Sequence, residues 1–409
     1  MPKFLLRSIT FFLIISLFFL FLRLFDLPAA INYGSDAARD FLVTWNMYET
    51  RHPVLIGPPS EYAFNGRQFF FGPAPYYLIL PALIIGNWDP LAVSYYVIFL
   101  NLAVLFISLI ILNRSIQKKS IIYYFALLYT VTPSLVADTQ SYWNPYFMLP
   151  VSLLLVALIV KSKAKKSSLF LLLLIGFLFG LGLQFHYSFI LAIIVSCIWL
   201  YWGKKIALRE IGLLLVGFIV GFSPLILFEL RNHFYNLNTL FLVMTHASTA
   251  GTGFTFNTFY LISLMPFLFY FVSVSFFKLN KIIPYIFFTV FIIWSLVVVL
   301  SPHAYALSYP DAEKIAQKIE QDNPKNFNVV DQLTRDNRAT PIRYLLTVHG
   351  FAPQGVTEYA KVSTLYIYSK VPLTELTKNP VWEIKTFLPF THGTTQNISD
   401  NISLYKLSK

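Results

Sequence analysis

A single cysteine, Cys197, stands among the 409 residues. It lies in an apolar run, so a disulfide framework and a cysteine-based metal site are both excluded. Charge is scarce too: Asp, Glu, Lys and Arg make up 12% of the chain, about half the share of a soluble domain. No glycine-rich nucleotide loop follows a strand-like run, which argues against a nucleotide-sugar donor and against an ATP-driven pump. No His/Cys/Asp cluster has metal-ligand spacing, so no tightly bound, protein-ligated metal is expected. A loosely held divalent cation at Asp36 or Asp40 is the one cofactor left open. What is abundant is hydrocarbon. Hydrophobic residues are 56% of the chain and the mean hydropathy is +0.63. A disordered chain and an ordinary soluble globule are both ruled out.

The composition changes near residue 303. Residues 1–302 carry nearly all the long apolar runs, and residues 303–409 have charges throughout, among them Asp311, Glu313, Lys314, Lys318, Arg335, Asp336, Arg338 and Arg343. Nine apolar runs are long enough to be read as membrane spans: about 8–25, 91–112, 120–137, 145–160, 168–185, 187–203, 210–228, 257–277 and 282–301. Residues 168–203 are read as two passes with a bend at Gln184–Tyr187. One 36-residue helix would be about 54 Å long, far beyond a hydrocarbon core of about 30 Å.

The net charge of +12 suggests a nucleic-acid partner until its positions are examined. With the N-terminus inside, the cytoplasmic segments hold Lys3, Arg7, Arg114, Lys118, Lys119, Lys161, Lys163, Lys165, Lys166, Lys204, Lys205, Arg209, Lys278 and Lys281. The outer segments hold only Arg23, Arg39, Arg51, Arg67 and Arg231. That is the positive-inside pattern. It accounts for the basic excess without nucleic acid, and it predicts a cytoplasmic N-terminus and an extracytoplasmic C-terminal domain. The run Phe11–Phe21 is read as a retained first anchor rather than a signal peptide cleaved near Ala29–Ala30.

Acidic residues gather on the outer side: Asp26, Asp36, Asp40, Glu49, Glu61, Asp89, Asp138 and Glu229. They have little weight in orientation, so they need another cause. The largest outer segment is 31–88. Ser35 is placed to cap a helix, and Asp36 suits its first turn. Phe41, Leu42, Trp45 and Tyr48 recur at helical spacing, with Asp36, Asp40 and Thr44 on another face. The pattern predicts an amphipathic helix lying on the membrane surface. Pro73, Pro75 and Pro81 make the stretch around 76–85 a second interfacial or re-entrant helix rather than a span. Asp36 and Asp40 serve either as simple helix-start and surface charges or as a general base; spacing alone does not choose.

These residues resemble a family. The N-terminal anchor followed by Gly34-Ser35-Asp36-Ala37-Ala38-Arg39-Asp40 is similar to the first loop of the GT-C membrane glycosyltransferases. The nearest group is the protein O-mannosyltransferase-like branch that includes the lipid A aminoarabinose transferases. Gly72-Pro73-Ala74-Pro75-Tyr76-Tyr77-Leu78, with Gly86 and Asp89-Pro90-Leu91-Ala92-Val93, resembles that family's second juxtamembrane helix and the start of its second span. Tyr142-Trp143-Asn144-Pro145, Gln184-Phe185-His186-Tyr187-Ser188 and Phe228-Glu229-Leu230-Arg231 are similar to three outer-side motifs. The resemblance covers about residues 1–300.

It implies a mainly α, polytopic helix bundle of GT-C type, with about nine spans plus juxtamembrane helices. The implied activity is inverting transfer of a sugar from a polyprenyl phosphate to an acceptor outside the cytoplasm, with Asp36 as the catalytic base. Many relatives have Asp-Glu where this chain has Asp36-Ala37, which leaves a lipid, glycan or protein acceptor open. Arg39, Asp40, Tyr76, Tyr77, Asn144, His186, Tyr187, Glu229 and Arg231 are the expected substrate-binding residues. Arg231 is suited to the donor phosphate by its paired N–H groups, or else anchors a span at the interface. His186 is either a satisfied buried group or a donor-phosphate ligand, and Asn144 either caps a helix before Pro145 or bonds a sugar. The expected partners are the lipid-linked donor, the acceptor and membrane lipids. A polyprenyl-lipid flippase or small-molecule transporter is the competing class; no internal repeat is evident to favour it.

The C-terminal residues 303–409 read as a small α/β domain. Helices are expected at 312–321 and 339–348, and strands at 327–330, 364–368, 382–387 and 402–407.

Overall fold

The computed structural model describes residues 3–164, 168–203, 207–246, 257–302, 305–334, 336–399 and 401–409, with side chains from residue 10. The Lys3 and Arg7 side chains, and Lys165, Lys166, Lys204, Lys205 and Arg335, lie outside the described residues. The chain forms two compact units. One comprises 1–25, 52–85 and 92–301; the other comprises 26–51, 86–91 and 302–409.

In the first unit every one of the nine apolar runs is helical. Pro90–Ser115, Asn144–Ala164, Thr258–Lys278 and Ile282–Val299 are each long and apolar enough to cross a membrane. Two further runs are bent pairs: Lys119–Val131 with Pro133–Gln140, at 60°, and Leu208–Gly221 with Ser223–Arg231, at 71°. Proline explains both bends, because Pro133 and Pro224 sit at the start of the second helix of each pair and supply no backbone N–H. Thr10–Leu24, Leu169–Phe185 and Tyr187–Tyr201 are shorter apolar helices. The chain is thus a multi-pass membrane protein; among the described residues four helices, or six with each bent pair counted as one span, pass by length and composition, against about nine expected. The break between Leu169–Phe185 and the following helix falls at His186, within the expected bend.

The Leu169–Phe185 and Leu208–Gly221 helices meet backbone to backbone. Gly176 and Gly180 face Gly217 and Gly221, and a Cβ on any of the four would overlap a backbone carbonyl of the opposite helix: Leu214, Phe218, Leu173 and Phe177 in turn. Both glycine pairs have the four-residue spacing of small-residue membrane helix crossings.

A buried arginine holds the first kink. Arg23, fully buried, donates through Nε to Thr139 Oγ1 (2.7 Å), and through its terminal nitrogens to the carbonyls of Thr130 (3.0 Å) and Tyr129 (3.4 Å). The Tyr129 carbonyl is the one that Pro133 leaves without an i+4 donor. The guanidinium also lies over the Phe19 ring, 3.6 Å from its centroid. An Arg23→Met variant strips donors from buried carbonyls. It is expected to cost about 1–3 kcal/mol in the unfolding of the reconstituted protein, whereas an Arg23→Lys variant should recover part of the loss.

The same unit contains an element that hydropathy did not reveal, a hairpin of Pro59–Phe64 and Arg67–Phe70. Its Asn65 and Gly66 both have positive φ (49° and 74°), as a two-residue hairpin turn requires. The Ala74–Ile85 helix follows, with Pro81 inside it.

The second unit is built on a four-stranded sheet in the order Phe327–Asp331, Thr364–Ser369, Ile402–Ser408, His392–Ser399. The first pair is parallel, with Val329 opposite Tyr366; the others are antiparallel. Tyr309–Gln321 and Thr340–Val348 are its longer helices within 302–409, the first capped by Ser308, whose hydroxyl accepts from Asp311 N. Two expectations are corrected. Residues 382–387, expected as a strand, form the helix Trp382–Phe387. Alternation would have buried Trp382 with Ile384, but Trp382 is 53% exposed; it is Ile384 and Phe387, three apart, that enter the core. The edge strand His392–Ser399 was not expected, because it is polar and largely exposed and so has no hydrophobic alternation to read.

The first-loop segments 26–51 and 86–91 fold with the C-terminal residues. Tyr33 donates to the Pro341 carbonyl (3.0 Å), Tyr305 to Ala30 O (3.0 Å), Tyr309 to Asp89 Oδ1 (2.7 Å) and Tyr344 to Trp88 O (2.6 Å). The helix expected on the membrane surface, Ser35–Thr50, instead puts Phe41 against Tyr344, 5.4 Å between ring centroids. Asp40 and Thr44, assigned to its polar face, are fully buried. Its capping residue is Gly34, with Ser35 the first helical residue, one position later than expected.

Candidate active site

Asp36, Arg39 and Asp40 form one ion cluster on the first turn and a half of the Ser35–Thr50 helix. Arg39 reaches Asp36 Oδ1 through NH1 (2.7 Å) and Asp40 Oδ1 through NH2 (2.8 Å) and Nε (2.9 Å). The spacing i, i+3 places Asp36 beside Arg39. Burial then separates the roles: Asp40 is wholly enclosed, while the Asp36 side chain is 45% exposed. A buried carboxylate thus fixes the guanidinium, and the guanidinium fixes one oxygen of Asp36. No hydrogen bond to the other oxygen, Oδ2, occurs among the described residues. The helix N-terminus adds a favourable field for this anion.

This carboxylate opens on a cavity of about 630 Å³ lined entirely by the second unit. Residues 32–39 form one side. Residues 305–307, Thr334, Asp336, Arg338, Thr340, Pro341 and Val356 form the rest. The volume is in the range of small-molecule sites. Beneath it, Tyr33 is deeply buried; burial pushes its phenol well above the ordinary value, so it acts as a neutral donor to Pro341. Asp331, at the end of its strand, is also raised by burial. It accepts from the backbone of Leu333 and Thr334 and from the Thr334 hydroxyl. Thr334, Asp336 and Arg338 were missed as site residues, because nothing in a run of polar loop residues about 300 positions downstream marks it as facing Asp36.

The other expected residues belong to the first unit and serve several local structures. Asn144 is buried and donates to Phe185 O (2.7 Å). His186 Nδ1 accepts from Ser188 N (3.1 Å), which leaves Nε2 to carry the proton of the neutral ring, and Phe71 packs 4.6 Å from it. The Tyr187 hydroxyl donates to Phe70 O (2.7 Å) and accepts from Asn236 Nδ2 (2.8 Å). Tyr187, Asn236 and Glu229 line a largely apolar cavity of about 270 Å³, and Glu229 Oε2 accepts from Leu237 N (3.3 Å). Arg231 is exposed at the end of its helix. Tyr76 is buried, and Tyr77 is 41% exposed with its hydroxyl on Val54 O (2.8 Å). Among the described residues no three His, Cys, Asp or Glu side chains come together as a metal site.

Gln184 joins three segments. Its carbonyl accepts from Gly72 N (2.8 Å), its Oε1 from Ala74 N (3.2 Å), and its Nε2 donates to Gly221 O (2.6 Å). Gly72 is obligatory there, since a Cβ would overlap the Gln184 side chain. Gln184→Leu, similar in size but without the amide, is expected to cost about 1–3 kcal/mol in unfolding assays through the buried groups it leaves unpaired.

No protein-family model matches this sequence, and no curated protein matches it. The fold is similar to that of a crystal structure of ArnT from Cupriavidus metallidurans bound to undecaprenyl phosphate. The TM-score is 0.58 over 99% of this chain and 98% of that one, at 11% sequence identity. The chain therefore shares the fold of that protein over nearly its whole length.

Proposed function

We propose that the protein is an inverting glycosyltransferase that moves a sugar from a polyprenyl phosphate to an acceptor hydroxyl at the outer face of the membrane. The observation that carries this reading is the half-exposed Asp36 carboxylate, held by Arg39 and buried Asp40, at the mouth of a cavity in a GT-C fold. The fold's likeness to a protein captured with undecaprenyl phosphate supports the class of donor.

Asp36 takes the proton of the acceptor hydroxyl as its oxygen attacks the anomeric carbon. The C1–O bond to phosphate breaks, its electron pair leaves with the phosphate, and the configuration inverts. Arg39 and Asp40 are positioning residues in this scheme, since the Arg39 charge is already shared by two carboxylates. Arg231, an exposed guanidinium, is assigned to the donor phosphate. His186, Tyr187, Asn144, Glu229, Tyr76 and Tyr77 are assigned to shaping the donor side. The alternating basic segments support a cytoplasmic N-terminus. We infer no tightly held metal, so transfer should persist after chelation with EDTA; loss of transfer that magnesium restores would instead assign a loosely held ion to Asp36.

The test is acceptor-dependent transfer by the full chain in lipid nanodiscs, from a panel of polyprenyl-phosphate sugars to native lipids and glycans. Transfer that disappears in a folded Asp36→Asn variant supports the reading. Donor crossing the bilayer with no product formed supports a flippase instead.

A further inference from the structure

We propose that the cavity beside Asp36 takes a neutral, hydroxyl-rich sugar unit, the receiving end of a glycan or glycolipid, and that Asp336 and Arg338 select it against phosphorylated acceptors. The proposal rests on the glycosyltransferase reading and names the acceptor class of that site.

The first argument is that the far wall is a built structure rather than a loose loop. Asp331 accepts from Leu333 N (2.6 Å), Thr334 N (3.0 Å) and the Thr334 hydroxyl (2.6 Å). Thr334 Oγ1 in turn accepts from Asp336 N (3.1 Å), and Asp336 Oδ2 accepts from Thr340 N (2.9 Å). The Arg338 carbonyl accepts from Arg343 Nε (2.6 Å), and Arg343, itself only 7% exposed, is tied through NH1 to Gln354 O (2.7 Å) and through NH2 to Asn328 and Tyr359. These bonds tie down the described residues on either side of Asp336 and Arg338, which line the cavity.

The second argument is charge. Two helix N-termini line the cavity, at Ser35 and Thr340, and each would attract an anion. Each is already answered by the protein's own carboxylate: Asp36 in the first turn of one helix, and Asp336 on the Thr340 N–H of the other. Of the two guanidiniums that line the cavity, Arg39 is shared between Asp36 and Asp40, which leaves Arg338 as the uncommitted cation among the described lining residues. A phosphate of charge about −1.5 to −2 would meet two carboxylates and one such cation. A neutral sugar fits the same groups well. Its hydroxyls donate to carboxylates and accept from a guanidinium, and its C–H faces suit Leu307 and Val356 on the wall.

The experiment is saturation-transfer NMR on the full chain in nanodiscs. The probes are methyl α-mannoside, methyl α-glucoside and methyl β-galactoside, each with its 6-phosphate. A neutral glycoside should bind saturably, and its 6-phosphate at least about tenfold more weakly, the factor that 1.4 kcal/mol of repulsion gives. Asp336→Asn keeps an oxygen for Thr340 N; it should weaken the neutral ligand about tenfold by loss of a charged acceptor and narrow the gap to the phosphate. Arg338→Gln should weaken the neutral glycoside by a similar factor. The proposal is overturned if the phosphates bind as tightly as the neutral glycosides, if no neutral glycoside saturates, or if both variants bind like wild type. Because binding is read without turnover, the two readings fail separately. Transfer to phosphorylated acceptors alone would keep the glycosyltransferase and remove this acceptor class. Saturable, Asp336-dependent glycoside binding without transfer from any donor would do the reverse.

Discussion

Asp36→Asn is expected to lower acceptor-dependent transfer by about 10²–10⁴-fold, the range that a lost general base gives, while the protein stays folded. The side chain is 45% exposed and bonds only Arg39 among the described residues, so its replacement by an isosteric amide leaves no buried charge behind. Donor binding should change little, and the loss should appear in the chemical step rather than in KM. Asp40→Asn should behave differently. Asp40 is fully buried against Arg39, and neutralising it removes the charge that holds the guanidinium from the buried side. A smaller fall in rate is expected together with a loss of stability of about 1–3 kcal/mol, the cost of weakening charged hydrogen bonds to a buried group. Rate and unfolding measured on both variants separate the base from its support. Equal losses of rate without any change in stability would remove the distinction drawn here.

Gly217→Val is expected to be the most destabilising single change in the membrane unit, at about 3 kcal/mol or more. That is the upper end for overpacking, because the obstacle is backbone rather than a side chain that can rotate away. A Cβ at residue 217 would overlap the Leu173 carbonyl, and the β-branched atoms have no space on either side of it. Gly176, Gly180 and Gly221 should follow the same pattern at lower cost with alanine. Gly212 supplies the control. It lies on the same helix, and a Cβ there meets nothing within 4 Å. Gly212→Ala should be neutral or stabilise by about 0.5–1 kcal/mol, through the helix preference of alanine. Denaturant unfolding of the purified protein checks both. A Gly217 variant as stable as Gly212→Ala would mean that the two helices do not cross as closely as the structure has them.

The nine apolar runs, the break at His186, the helix around 76–85 and five of the six C-terminal elements named from sequence were legible as helices or strands where they occur. Hydropathy and periodicity are properties of each segment's own residues. A span must be apolar along its length whatever it packs against, and the Tyr309–Gln321 helix shows its buried face in the spacing of Ala312, Ile315, Ala316 and Ile319. Segments whose structure is set by a partner were not legible. Residues 382–387 read equally as strand or helix until the core that receives Ile384 and Phe387 is known. The polar edge strand His392–Ser399 is held by its ladder to Ile402–Ser408, not by its composition.

The site divides in the same way. Sequence alone determined that this is a membrane chain, and a resemblance carried by its first loop pointed to Asp36. Only the tertiary structure decided that Asp40 is buried and holds Arg39, that the helix carrying them packs on Thr340–Val348, and that Asp336 and Arg338 line the same cavity as Asp36. The reason is physical. A charge's role depends on its burial and its neighbours, and the neighbours of Asp36 come from residues some 300 positions further along the chain.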